Sequence, residues 1–236
     1  MGSSASVWAV IVAAGRGKRF GSGELKQFAP LAGRPLLLWT LESFRVHPSV
    51  EGISLVVPAE HVERPPAWLA RLQDEDVTVA AGGDERIDSV RLGLATVPRD
   101  VRLVAVHDGV RPLVTETMIS RVLERAGPER GAIAGRRVTD SLKQADGAGR
   151  VLRSVSRENL WRAETPQIFP RELIVDLHRR AQVDGFKATD SAALCEHYGV
   201  EVMLVEISEP NPKVTGPEDL PLVEAWIRQR GQLFDP

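Results

Sequence analysis

The sequence predicts a doubly wound α/β fold with a mostly parallel sheet, on three observations. Short Val, Ile and Leu runs recur along the chain, stretches with helical spacing lie between them, and turn residues bound each run. The apolar runs at residues 7–13, 53–57, 77–80, 103–106, 132–134 and 200–207 read as strands. The helical stretches are residues 36–45 after Pro35, 62–72, 90–95, 119–126 and 173–181. Strands that are apolar almost throughout must be covered on both faces, which is what crossover helices between parallel strands provide. In such sheets ligands collect beyond the carboxyl ends of the strands, so the residues after each apolar run carry the functional reading.

One segment interrupts the alternation. Residues 136–155 are polar, contain Asp146-Gly147 and Gly149, and show no helical stripe, so they read as a β-hairpin. Val138, Leu142, Val151 and Val155 are too sparse to bury it alone. Two readings stand side by side at this point, a loop folded back on its own domain or an arm whose missing surface a partner subunit supplies.

Length and composition narrow the class. With 236 residues the chain is short enough for one core, so residues 1–236 are expected to form one domain. Thirty Lys plus Arg against 32 Asp plus Glu give a net charge of -2, which argues against nucleic acid and anionic membranes as partners. The one cysteine, Cys195, cannot form an internal disulfide, which fits a reducing compartment, the cytoplasm by default. The apolar run after Met1 lacks a basic leader and is too short for a signal peptide, and no stretch approaches the roughly 20 apolar residues that span a bilayer.

The first strand runs into Ala13-Ala14-Gly15-Arg16-Gly17-Lys18-Arg19-Phe20-Gly21-Ser22-Gly23-Glu24-Leu25-Lys26. Glycines let backbone amides approach an anion, and the cations supply the charge a triphosphate demands. A dinucleotide fingerprint needs Gly where Phe20 stands, and a Walker loop needs Ser or Thr where Arg19 stands, so both common phosphate motifs are excluded. After the third strand, Gly82-Gly83-Asp84-Glu85-Arg86-Ile87-Asp88-Ser89 offers amides and a hydroxyl for a base edge, or simply a tight turn that starts a helix. After the fourth, His107-Asp108-Gly109-Val110-Arg111-Pro112 sets an acid and a guanidinium at the strand end, as a ligand site or as a structural ion pair. His107 itself reads as a packed strand-end histidine rather than a base or metal ligand. Residues 156–167 put Arg157 and Thr165 near the base of the hairpin. Thr189-Asp190-Ser191 opens a helix that Gly199 ends, with Thr189 as its cap or as a ligand group. Lys213 precedes Thr215 and Pro217, the latter a first-turn residue of the last helix.

Together these segments resemble the 2-C-methyl-D-erythritol 4-phosphate cytidylyltransferases. The resemblance spans nearly the whole chain, through the loop 13–26 with Lys26-Gln27-Phe28, residues 82–89 and 107–112, Thr139-Asp140-Ser141-Leu142-Lys143, residues 157–167, Thr189-Asp190 and Lys213-Val214-Thr215. Any one such loop is weak, but seven in order are specific. The resemblance implies a Rossmann-like sheet with a protruding β-hairpin dimerisation arm at about residues 136–157. It implies transfer of a cytidylyl group from CTP to methylerythritol phosphate, with release of pyrophosphate and a requirement for Mg²⁺ held mainly by the CTP phosphates; no side chain is assigned as a metal ligand.

By matching positions, Arg19 and Lys26 would stabilise the transition state, and Ala13, Ala14, Gly15 and Gly17 would line the nucleotide. Gly82, Asp84, Ser89 and Gly109 would surround cytosine and ribose, while Asp108, Arg111, Thr165 and Thr189 would hold the methylerythritol part. Lys213 would position the attacking phosphate. The arm would cross to a neighbouring subunit, so that Ser141 and Arg157 complete the partner's acceptor site in a homodimer. Leu25 stands where relatives often have Pro, Gly109-Val110 where they have Ala-Ala, and Ser141 where threonine is commoner. Two other functions remain in view: a ribitol 5-phosphate cytidylyltransferase, sharing the donor, and a non-catalytic nucleotide-binding regulator. Ser141 and Asn159-Leu160-Trp161-Arg162 favour methylerythritol phosphate over ribitol phosphate. Arg19, Lys26 and Lys213 together disfavour a pure binder, which gains little from transition-state charge.

Overall fold

The structure, a computed structural model, describes residues 6–15, 25–72 and 77–230. In chain order the strands and helices are β1 (Val7–Val12), β2 (Pro30–Leu31), β3 (Arg34–Pro35), α1 (Leu36–Arg45), β4 (Val50–Val57), α2 (Ala59–Glu63), α3 (Ala67–Leu72), β5 (Val77–Ala81) and α4 (Arg86–Leu94). Then come β6 (Leu103–Asp108), α5 (Glu116–Arg125), β7 (Gly131–Arg137), β8 (Leu142–Ala145), β9 (Val151–Val155), β10 (Trp161–Pro170), α6 (Arg171–Asp184), α7 (Ser191–His197), β11 (Val202–Glu206) and α8 (Leu220–Arg230). The expected α/β architecture is present, as a seven-stranded sheet in the order β11-β7-β10-β6-β1-β4-β5.

The chain adds β4 and β5 on one side of β1 and then returns to add β6 on the other, pairing both neighbours parallel to it. The crevice between the carboxyl ends of β1 and β6 is therefore the switch point where the doubly wound fold binds ligands. Val7, Ala9, Val10 and Ile11 of β1 are completely buried, because their side chains alternate into two separate cores. On one face Leu37, Leu41 and Phe44 of α1, Leu69 of α3 and Ile119 and Val122 of α5 pack against Ala9, Ile11 and Leu55. On the other, Val90 and Leu94 of α4, Ile174 and Leu177 of α6 and Leu194 of α7 pack against Val10, Val56 and Val104. Burying each such side chain contributes about 1.5–3 kcal/mol.

The structure departs from the sequence expectation in four places. The helix expected over residues 62–72 is two short helices, α2 and α3, because Pro65 and Pro66 remove two amide donors and bias Arg64 away from helical ψ, which is 74° there. Residues 161–170 form a long strand, β10, that no apolar run announces. It runs antiparallel between β6 and β7, so the sheet is parallel except for this member. The first two residues of the expected hairpin, Arg136 and Arg137, belong to the end of β7, and the hairpin proper is β8 and β9, a separate two-stranded sheet turned by Asp146 to Arg150. Finally, the helix near residue 190 is capped by Asp190, whose carboxylate accepts from the Ala193 amide at 2.9 Å, and not by Thr189.

Candidate active site

A cleft of about 640 Å³ opens at the carboxyl ends of β1, β4, β5 and β6. Its floor is Ala13, Ala14 and Gly15 beyond β1 and the loop from Gly82 to Glu85 beyond β5, and its basic wall is Lys26, Arg86 and Lys213. Of the expected residues, it brings together Ala13, Ala14, Gly15, Lys26, Gly82, Asp84, Ser89, Asp108 and Lys213. Gly17 and Arg19 lie outside the described residues.

The two glycine-bearing loops approach one another closely. A Cβ on Gly82 would overlap the Ala14 Cβ and lie 2.9 Å from Ser89 Oγ, so only glycine lets β1 and the β5 loop meet across the cleft floor. Ser89, 3% exposed, accepts from the Gly83 amide at 3.1 Å and donates to the Glu85 carbonyl at 3.2 Å. Its hydroxyl thus fixes the shape of the loop at the start of α4, where the Asp88 carboxylate accepts from the Glu85 amide at 3.3 Å. Gln27 plays the same part on the opposite side. Buried, it donates from Nε2 to the carbonyls of Ala13 at 2.6 Å and Gly15 at 3.3 Å, which fixes the start of the loop beyond β1. The Lys26 ammonium beside it donates to the Val214 carbonyl at 3.4 Å, joining the two strand-end segments that carry the cleft's lysines.

Asp108 is the electrostatic centre. Its carboxylate, at the end of β6, meets Arg86 Nε at 2.8 Å, Lys213 Nζ at 3.0 Å and Arg111 Nε at 3.5 Å. Burial by itself favours the neutral acid, but Arg86, Lys213 and Arg111 together outweigh it and hold the carboxyl well below the usual range, so Asp108 is an anion at any working pH. The adjacent His107 is completely buried, its ring 5.0 Å from that of Phe44. Burial pushes it down to about 3, so it is a neutral packing residue, as its sequence position suggested.

The remaining expected residues do not line the cleft of their own chain. Gly109 is packed beneath it: an added Cβ would lie 2.8 Å from Leu37 Cδ1, and its carbonyl accepts from Thr40 Oγ1 at 3.0 Å. Thr165 is 3% exposed and accepts the Asp108 amide at 3.1 Å, bracing the strand end behind the carboxylate. Arg111 donates to the Asn211 carbonyl at 2.7 Å. Thr189 is exposed on the loop before α7, and Ser141 and Arg157 are exposed at the hairpin, where the Arg157 guanidinium donates to the Thr139 carbonyl.

Sequence reading missed Arg86, Glu164, Asn211 and Arg136. Arg86 stands inside a segment already singled out, and its charge beside the glycines was the available signal. Glu164 likewise stands inside the segment 157–167, next to Thr165, whereas Asn211 and Arg136 come from parts of the chain far from it, with no local pattern. Among the described residues no group of three His, Cys, Asp or Glu is spaced to hold a metal, and none of their helices is long and apolar enough to cross a membrane.

The sequence profile of the family described as IspD, 2-C-methyl-D-erythritol 4-phosphate cytidylyltransferase, matches residues 7–229. The chain is 42% identical over 234 residues to the 2-C-methyl-D-erythritol 4-phosphate cytidylyltransferase of Xylella fastidiosa strain M23, covering 96% of this chain and 99% of that one. It is 40% identical over 223 residues to the bifunctional enzyme IspD/IspF of Desulfotalea psychrophila, covering 94% of this chain but spanning only 56% of that longer protein. Among solved structures, it is similar to the 2-C-methyl-D-erythritol 4-phosphate cytidylyltransferase of Thermus thermophilus, with a TM-score of 0.78 at 32% identity over 93% of this chain and 98% of that one. It is also similar to the 4-diphosphocytidyl-2C-methyl-D-erythritol synthase of Anaerococcus prevotii, with a TM-score of 0.80 at 26% identity over 95% and 96%.

Proposed function

The chain belongs to the 2-C-methyl-D-erythritol 4-phosphate cytidylyltransferase family, and we propose on that premise that it joins CTP to 2-C-methyl-D-erythritol 4-phosphate. The products are 4-diphosphocytidyl-2-C-methyl-D-erythritol and pyrophosphate. The observation that carries the reading is the cleft: glycine-bearing loops and Lys26, Arg86 and Lys213 surround it at the sheet's switch point.

The chemistry is limited by charge rather than by proton removal. The acceptor phosphate, with a second pKa near 6, is already largely dianionic, so no general base is needed. Its oxygen attacks the α-phosphorus of CTP, a P–O bond forms, and the bond to the β-phosphate breaks with its electrons leaving on pyrophosphate. Bringing two such anions together demands preorganised cations that meet the charge developing in the transition state. Lys26 would serve the triphosphate, with Arg19 expected to join it, and Lys213 the acceptor phosphate, a reading that the two lysines' positions in the lining of the cleft support. The loop from Gly82 to Asp84, which lines the cleft, would select a pyrimidine by size and hydrogen-bond pattern. Both oxygens of Asp108 are already taken by cations, so the donor set suits an Mg²⁺ held by triphosphate and water; Glu60, Asp84 and Glu85 are the other carboxylates in the cleft lining. When bound, the ion neutralises triphosphate charge.

Ser141 and Arg157 lie on a hairpin whose Val151 and Leu152 are each 59% exposed, which supports an arm that docks on a second copy and completes its acceptor site. We therefore read residues 1–236 as one catalytic domain with a dimerisation arm, acting in the cytoplasm. The deciding experiment measures pyrophosphate release with CTP, Mg²⁺ and methylerythritol phosphate, against ribitol 5-phosphate as acceptor and UTP and ATP as donors. Equal or faster turnover with ribitol 5-phosphate overturns the acceptor assignment, and no release with any pair overturns the reaction.

A further inference from the structure

We infer that Glu164 is a positioning residue for the acceptor half of the site, holding Arg111 in place and tying it to the root of the hairpin. The inference rests on the cytidylyl-transfer reading and deepens it.

A break in β10 aims the side chain. Along β10 and β7 the pairing jumps from Ala163 opposite Gly135 to Gln167 opposite Ile133, so Glu164, Thr165 and Pro166 face a single residue, Ala134. Such a bulge suspends the alternation of a strand, and a proline within it has no ladder bond to lose. Two consecutive side chains can therefore turn the same way. Glu164 is 7% exposed and Thr165 3%, one held by Arg136 and Asn211 and the other by the Asp108 amide.

The carboxylate of Glu164 then holds three groups from three distant segments. Oε1 receives Arg136 Nε at 3.2 Å, and Oε2 receives Asn211 Nδ2 at 3.1 Å with Arg111 Nη1 at 3.9 Å. Asn211 closes the set by donating to the Thr165 carbonyl at 2.8 Å and accepting from Arg111 Nη1 at 2.7 Å through its own carbonyl. Arg111 is thus fixed between Asp108 on one side and Glu164 on the other, with only 11% of its side chain exposed. A guanidinium so enclosed requires anionic partners. With Glu164 neutral, its one remaining carboxylate in this network is Asp108. It then shifts toward the same oxygen, Oδ2, that Lys213 occupies at 3.0 Å. The change therefore reaches the acceptor-side cations while leaving the nucleotide loops untouched. Arg136, the other partner, stands at the end of β7, where the chain leaves the main sheet for the hairpin.

The test uses the full-length enzyme and its Glu164→Gln variant, which keeps the shape and removes the charge, in steady-state assays with CTP and methylerythritol phosphate. The expected result is a KM for the acceptor raised about tenfold with the KM for CTP within about twofold. A merely structural role would lower the active fraction and the melting temperature while leaving both KM values in place, and that outcome overturns the inference. Arg136→Gln, at a more exposed position, is the second variant, expected to raise the acceptor KM about threefold. Added to Glu164→Gln, it should cost markedly less than it does alone, because both changes remove the same link. Full additivity overturns the tie to the hairpin root. Should Glu164→Gln not fold, an unchanged acceptor KM in Arg136→Gln overturns the inference by itself. Wild-type enzyme that turns over while Glu164→Gln shows an unaltered acceptor KM defeats this inference alone, whereas wild-type enzyme that forms no pyrophosphate defeats the functional reading beneath it.

Discussion

Lowering the pH from 7 to 5 should remove about 2 kcal/mol of stability through His107 alone. The imidazole sits at the carboxyl end of β6, completely buried, with its ring against Phe44 and its Nε2 3.4 Å from the Arg111 carbonyl. Loss of solvent is the largest influence, the Asp108 carboxylate opposes it, and Arg111 and Arg86 add repulsion, so the folded pKa is pushed down to about 3 from an ordinary 6.5. The sign follows from proton counting. Between these two values the unfolded chain binds a proton that the folded chain refuses, so stability is fully present above about 6.5 and falls as pH drops, levelling below about 3. At pH 5 the unfolded imidazole is protonated about thirtyfold in excess, and RT times the logarithm of that ratio is about 2 kcal/mol. Asp108 does not alter the result, because its neighbours keep it ionised over the same interval. Urea unfolding of the wild type and of His107→Gln at both pH values isolates the effect, since the cost of the substitution itself is the same at each. The wild type should lose about 2 kcal/mol more than the variant between pH 7 and 5. A difference below about 0.5 kcal/mol would show that the folded protein protonates His107 after all.

Three further outcomes are expected. Lys26→Ala should lower kcat about a hundredfold or more while the KM for CTP changes only a few-fold, as for a charge used mainly in the transition state; single-turnover assays that show equal losses in both would contradict that role. Mixing Lys26→Ala with Arg157→Ala should restore activity that neither has alone if arms are exchanged between subunits, and the absence of rescue in re-equilibrated mixtures removes the exchange. Gly82→Ala should raise the KM for CTP about tenfold, because the added methyl would overlap the Ala14 Cβ and drive the two nucleotide loops apart; an unchanged KM would mean that the loops yield freely.

The strands that form the parallel half of the sheet were legible because full burial on both faces writes itself as unbroken apolar runs, as in β1 and β6. β10 was not legible for a physical reason. Its first part is a polar edge of the hairpin's base, and its middle is a bulge that breaks the two-residue period, so Trp161 to Gln167 carries neither of the patterns that announce a strand. Part of the cleft followed from the sequence because its loops are local: glycines and cations within a few residues of a strand end suffice to bring Gly15, Lys26 and Gly82 into view, and the structure puts all three in the cleft lining. The rest is non-local. Asp108 and Arg111 could be named as a pair but not as the hub that also gathers Arg86 and Lys213, because those partners stand 22 and 105 residues away from the aspartate. Glu164 stood in the singled-out segment 157–167 but was passed over for Thr165, since an acid before Thr-Pro in a polar stretch looks like a solvated one until the bulge turns it inward.

The hub also explains how three cations can sit together at one end of the sheet. Arg86, Arg111 and Lys213 converge on a space from which water is partly excluded, and their mutual repulsion would spread them apart were Asp108 not present. The carboxylate acts as their resident counter-ion, in the place that a phosphate approaches on the proposed reaction. Its partners are not equal in this respect. The Arg86 and Arg111 side chains are 23% and 11% exposed, and each is held at more than one point or at the shortest distance, whereas the Lys213 side chain is 37% exposed and meets only an oxygen that Arg111 also reaches. On the proposed reaction Lys213 is therefore the cation that turns from carboxylate to phosphate with the least disturbance. Arg111 covers the vacated oxygen while Glu164 keeps it from following too far. A flexible, strongly hydrated ammonium suits that transfer and a planar guanidinium suits the fixed positions, so the distribution of lysine and arginine across the site follows from which charges must move and which must stay.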